Sequence, residues 1–348
     1  MQQTPARGAR GVAVVTGSSA GVGRSIAVAF AEAGYDVALI ARGADRLQSA
    51  RQEVAARGVR ALSVIADVAD AEQIQQAADE IVRHFGRIDI WVNSAMATVV
   101  SPIYRMKAEE FRRVTEVTYL GMVHGTLAAL RYMRPRDRGV IVQVGSALSY
   151  RSIPLQSAYC AAKFAGRGFT DSLRSELLHD GSRIRVTMVQ LPAVNTPQFD
   201  WARSRMPRRL QPVAPIYQPE EIAAAVLHAA HTTPREYWIG WPTIRTILAN
   251  MVAPGLLDRL AATQAWDGQM TDEPADPHRP DNLFETPATD VGSHGRFDES
   301  AGGRAFSVGS GTARALLLGA GLGVFLASLS LAARRDGRDH RALRHSQD

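Results

Sequence analysis

The chain has 348 residues, 46% hydrophobic and 21% charged, enough to bury a sizeable core in one large domain or two modest ones. The net charge of +6 comes from scattered basic residues rather than an aromatic-interleaved patch, which argues against nucleic acid as a partner. Cys160 is the only cysteine, so an intrachain disulfide is excluded and a reducing compartment is expected.

In chain order, residues 1–8 are expected to be a flexible lead-in. The apolar run Gly11 to Val15 is too short for a signal-peptide core and predicts a first strand. From there to about Gly240, "GVAVVTG", "DVALIA", "ALSVIAD", "IDIWVNSA", "GVIVQVGS", "IRVTMVQL" and "EYWIG" have the composition of buried strands. Between them lie segments of helical spacing with glycine stops, including long ones over 107–133 and 155–180. Such alternation predicts an α/β domain over 9–242, a Rossmann-type doubly wound parallel sheet of about seven strands with right-handed crossovers.

Beyond it, 243–270 predicts an amphipathic helical extension broken at Pro254-Gly255, and 271–304 a Pro/Asp-rich linker. Residues 315–333 carry no charge between Arg314 and Arg334. As a helix they would reach roughly 28 Å, near the ~30 Å hydrocarbon core of a bilayer. A membrane helix followed by a basic tail is therefore expected over 305–348. The positive-inside rule would leave that tail in the cytoplasm and place the nucleotide domain outside. Cofactor supply takes precedence, giving a cytosolic catalytic domain anchored at its C-terminus.

"VVTGSSAGVGRSIA" sets Thr16, Gly17, Ser19, Gly21, Val22 and Gly23 between the first strand and the first helix. Glycines there let the backbone approach a pyrophosphate, which unpaired N–H groups and the helix dipole would meet. An acidic residue about 20 positions on would bind the ribose 2′-hydroxyl of NAD. Ala41-Arg42 stands there instead, and an arginine fork suits a 2′-phosphate, so NADP(H) is the expected cofactor.

Only Lys107 and Lys163 among the 40 basic residues are lysines, which makes Lys163 an unusual choice in this chain. It lies four residues after Tyr159 in "SAYCAAKF", on one helix face. A phenol of pKa ~10 is a poor base, but an ammonium at ~4 Å and an effective dielectric of ~20 supplies roughly 4 kcal/mol, about three pKa units. Such a pair could work as a general acid and base near neutral pH.

The spacing TGxxxGxG, with Ser146 after the fifth strand and Tyr159-x-x-x-Lys163, resembles the compact single-domain branch of the short-chain dehydrogenase/reductase family over about residues 9–242. The resemblance implies Ser146, Tyr159 and Lys163 as catalytic residues, with Tyr159 and Lys163 also touching the cofactor. It further implies Asp67-Val68 at the adenine, Asn93 to Ala95 as the turn after the fourth strand, and Pro192 and Thr196 at the carboxamide end. The family's relay asparagine is replaced by Thr118, and its NNAG glycine by Met96.

The implied activity is hydride transfer between NADP(H) and a small-molecule carbonyl or alcohol, with a homodimer or homotetramer as the expected assembly. A nucleotide-binding sensor or scaffold of the same fold is the alternative. The long segment 192–217 is expected to form a substrate lid, with Phe199, Trp201 and Met206 offering apolar area for a lipophilic substrate. No metal site is expected from the histidine spacings.

Overall fold

Long apolar runs can be buried on both faces only where helices cover both sides of a parallel sheet. The computed structural model describes residues 9–276, 278–287, 289–302, 305–315 and 319, and the strands follow that rule. They are β1 (Val12–Thr16), β2 (Asp36–Ala41), β3 (Ala61–Ile65), β4 (Ile90–Asn93), β5 (Val140–Val144), β6 (Arg185–Gln190), β7 (Glu236–Ile239) and β8 (Ser307–Gly309). Their order in the sheet is β8-β7-β6-β5-β4-β1-β2-β3. All neighbours are parallel except β8, which runs antiparallel along β7. Every residue of β1 and β2 is buried.

The helices are α1 (Gly21–Glu32), α2 (Ala44–Ala55), α3 (Ala71–Phe85), α4 (Ala108–Thr115), α5 (Gly121–Met133), α6 (Ser157–His179), α7 (Pro219–Thr232), α8 (Trp241–Val252) and α9 (Pro254–Leu260). Ile26 and Phe30 of α1, Leu47 of α2 and Ile222 of α7 fill the core on one face. Ile74 and Ile81 of α3, Met133 of α5 and Leu173 of α6 fill it on the other. Helix α3 shows the local chemistry of a well-ended helix. Asp70 accepts from the N–H groups of Glu72 and Gln73 at 2.9 and 3.0 Å, and Gly86 closes the last turn at φ 83°. The strand order reverses between β4 and β1, which opens a crevice at their carboxyl ends.

The sheet has eight strands rather than about seven. The eighth comes from the stretch expected to lead into a membrane, and Ala313, just beyond it, is buried in a small core with Tyr150 and Trp238. The membrane helix at 315–333 is corrected here. Among the described residues no helix is long and apolar enough to cross a membrane, and of that stretch only 315 and 319 are described, the rest lying outside the described residues together with 1–8. The expected membrane association and membrane-anchored localisation fall with it.

The Pro/Asp-rich stretch is tied to the domain. Met270–Pro274 pairs antiparallel with Arg208–Leu210 of the lid segment. Residues 281–287 and 289–298 then form a strap along the mouth of the crevice, with Leu283 fully buried in the core. The N–H of Asn282 donates to the Trp201 carbonyl at 2.9 Å, and that of Phe297 to Asn195 Oδ1 at 3.1 Å.

Candidate active site

The loop between β1 and α1 is shaped by contacts that leave no room for side chains. Gly17 has φ 69°, and a Cβ there would lie 2.7 Å from the Ala95 Cα. A Cβ on Gly23 would lie 2.3 Å from the Gly17 carbonyl oxygen. Thr16 is buried and joins this loop to the turn after β4: its hydroxyl accepts from the N–H groups of Ser94 and Ala95 at 3.0 and 3.3 Å. Helix α1 starts without a side-chain cap and without an acidic residue in its first turn. Tight glycines, a helix start without a side-chain cap and the absence of a carboxylate at the end of β2 fit a dinucleotide phosphate.

Ser19, Gly21, Val22, Arg42, Asp67, Val68, Ala95, Pro192 and Thr196 line one cavity of about 470 Å³ with Ser146, Tyr159 and Lys163. Asn93 stands behind its wall. Its side chain is buried, accepts from Trp91 Nε1 at 2.8 Å and donates to Gln143 and Thr126 at 2.8 and 3.1 Å, so it braces β4 against β5 and α5. Thr118 is also buried behind the cavity, in the π-helical turn Glu116–Leu120. Its hydroxyl exchanges hydrogen bonds with the backbone N–H and carbonyl of Ala97, at 2.9 and 3.0 Å.

Ser146 leaves β5 in an extended conformation, and its hydroxyl accepts from the Leu148 N–H at 3.1 Å. Tyr159 and Lys163 share the cavity side of α6, with the ammonium 5.5 Å from the phenol ring centre. Lys163 turns its Nζ to the Val144 carbonyl at 2.7 Å, and burial brings its pKa down to about 8. Burial pushes the Tyr159 phenol up, the neighbouring Cys160 adds to the rise, and the Ser146 hydroxyl pulls only partly back. Burial outweighs any lowering by Lys163 in this geometry, where the ammonium is directed at a carbonyl and its own charge is penalised by burial. The Cys160 thiol is also pushed up by burial, which suits an inert packing residue.

At the end of the cavity beside β2, Arg42 donates to the strap carbonyls of Asn282 and Phe284 at 2.8 and 3.0 Å, and stands 3.9 Å from Asp67. The Asp67 carboxylate itself pairs with Arg113 and accepts from the Ala69 N–H at 3.0 Å. Asp290 of the strap accepts from Arg24 and Ser49, each at 2.6 Å, and the Gly292 carbonyl accepts from the Gly21 N–H at 3.1 Å. None of these strap contacts was foreseen. Their partners are more than 200 residues apart in sequence, and Pro/Asp-rich composition carries no sign of them. Arg46, in the first turn of α2, also lines this cavity and was not singled out from the sequence.

Beyond Ser146 the cavity is lined by Val100, Leu148, Ile153, Phe199, Leu210 and Val213, with Gln156, Gln211 and Gln269 among them. The lid is pinned from below by Glu110. This buried carboxylate takes Arg205 and, at 3.3 Å, Arg203, and Arg203 also meets Asp281 at 2.8 Å. Burial alone would raise Glu110, but the Arg205 guanidinium and the Lys107 N–H outweigh it and hold the carboxyl below its usual range.

The sequence profile described as short chain dehydrogenase matches residues 11–206. An uncharacterized oxidoreductase of Bacillus subtilis (strain 168), YxnA, is 32% identical over 278 residues, covering 79% of this chain and 78% of its own. Among solved structures, an alcohol dehydrogenase from the archaeon Thermococcus sibiricus, complexed with 5-hydroxy-NADP, is similar with a TM-score of 0.55 and 28% identity, over 65% of this chain and 94% of its own. A metagenomic short-chain oxidoreductase in complex with NADP is similar with a TM-score of 0.55 and 26% identity, over 64% of this chain and 90% of its own. With half the chain matched by the profile and a relative aligned across most of both lengths, this protein belongs to the short-chain dehydrogenase family of oxidoreductases.

Proposed function

We propose that the chain is an NADP(H)-dependent oxidoreductase that reduces a carbonyl compound with a lipophilic body, Tyr159 acting as the proton donor. The observation that carries this is the meeting of Ser146, Tyr159 and Lys163 with the glycine loop around one cavity. The glycine loop and the start of α1 would hold the pyrophosphate, and Lys163 would lie at the nicotinamide end. When bound, the nicotinamide supplies the hydride to the carbonyl carbon. The Ser146 hydroxyl donates a hydrogen bond to the substrate oxygen and keeps the carbon oriented. A phenol pushed up by burial keeps its proton throughout the neutral range, and Tyr159 delivers it to the oxygen as charge develops there. Lys163 stabilises the phenolate left behind.

The aliphatic and aromatic lining beyond Ser146 supports an apolar substrate body, with the three glutamines able to receive a few polar groups. The test is NADPH oxidation with a panel of carbonyl compounds running from hydrophilic to lipophilic, using the wild type and Tyr159→Phe. Turnover should concentrate at the lipophilic end and drop at least 100-fold in the variant, while NADPH titration shows binding retained. Full activity in Tyr159→Phe would remove the proton-donor role, and activity restricted to small hydrophilic carbonyls would remove the substrate class.

A further inference from the structure

Arg46 sits in the first turn of α2 and is only 5% exposed. Among the described residues, its Nε and Nη1 are buried without a hydrogen-bond partner. Its guanidinium lies 4.8 Å from the ring centre of Trp201, and it lines the same cavity as Arg42 and Gly43. A Cβ built on Gly43 would come within 3.6 Å of the Arg46 Nε and Nη2, so the fork is folded back over the β2–α2 turn rather than extended into solvent. A buried guanidinium with idle donors is unfavourable unless an anion meets it.

The neighbouring Arg42 is differently placed. Both of its terminal nitrogens serve strap carbonyls, and its charge faces Asp67 at 3.9 Å. Asp290 acts on Arg46 only through its field, since its oxygens accept from Arg24, Ser49 and the Gly292 N–H. The end of β2 thus carries two cations, one engaged in holding the strap and one with donors to give.

We propose that Arg46, rather than Arg42 alone, grips the 2′-phosphate of the cofactor, with Trp201 holding its fork in place. A phosphate dianion presents oxygens that match a planar fork, and Trp201 fixes the plane of the guanidinium. The assignment rests on the NADP(H) reading above and refines it.

The experiment is calorimetric titration of the full chain with adenosine 2′,5′-bisphosphate and with 5′-AMP, so that no turnover is needed. The wild type should prefer the bisphosphate. Arg46→Met, which keeps a stem to pack on Trp201, should reduce the ratio of the two affinities by about 10- to 100-fold, and Arg42→Met should reduce it less. Circular dichroism and the thermal midpoint report whether each variant folds. Arg46→Lys, which keeps the charge but loses the fork, is the second variant and should lose several-fold of the preference. A wild-type ratio preserved in both Arg46 variants overturns the proposal, as does a larger loss in Arg42→Met than in Arg46→Met. Absence of any preference in the wild type would instead bring down the NADP(H) reading on which the proposal stands.

Discussion

Lys163 directs a buried ammonium at a main-chain carbonyl, and its position makes two pH dependences readable. Its folded pKa of about 8 lies below the ordinary 10.5. Between those values an unfolded chain holds a proton that the folded chain has released, so the folded state gains stability as pH rises through that window. The thermal midpoint of the wild type relative to Lys163→Met should therefore rise from pH 8 toward pH 10, and a constant difference would count against a depressed lysine. Activity has the opposite trend: reduction by the wild type should fall on the alkaline side near pH 8 as the ammonium is lost, with Tyr159 still protonated.

Gly17 and Ser146 lie just past strand ends and Tyr159 and Lys163 one turn apart on α6, short-range patterns that made their place around one cavity legible. The place of Arg46 was not: it is covered by Trp201, 155 residues later, and no local pattern records that contact.

Among elements, the buried strands declared themselves by continuous apolar runs, which is why β1 to β7 could be placed in advance. The three-residue β8 has no period to detect and is recognised only by its pairing with β7. The lid illustrates how an irregular segment is held by charge where helical or strand bonding is sparse. Arg203 and Arg205 converge on Glu110, whose depressed pKa means that this contribution is complete above the usual carboxylate value and lost as pH falls through the folded one. Glu110→Gln should lower stability by about 1–3 kcal/mol, since the arginines keep a neutral acceptor but lose the charge. It should also speed hydrogen exchange across 198–210 and raise KM several-fold with a smaller change in kcat. Unchanged exchange there would show that the lid is held by other contacts.

At the scale of the whole molecule, the strap folds back onto the first fifty residues through Asn282, Phe284, Asp290 and Gly292. Composition pointed to a Pro/Asp-rich linker over 271–304, since a strap that follows the crevice shows neither periodicity nor apolar richness, and its fixings exist only once the sheet has brought α1 and α2 together. Asp290 is one of them: burial would raise it, but Ser49, the Gly292 N–H and Arg24 hold its carboxyl below the usual range. Asp290→Asn should accelerate NADPH dissociation several-fold in stopped-flow fluorescence, and an unaltered rate would show that dissociation does not depend on this fixing.

The hydrogen bond from the Gly21 N–H to the Gly292 carbonyl has a kinetic consequence. On the proposed reading, a guest nucleotide that takes the Gly21 N–H must displace the host's own carbonyl, so its entry and its exit would each be coupled to movement of residues 289–298.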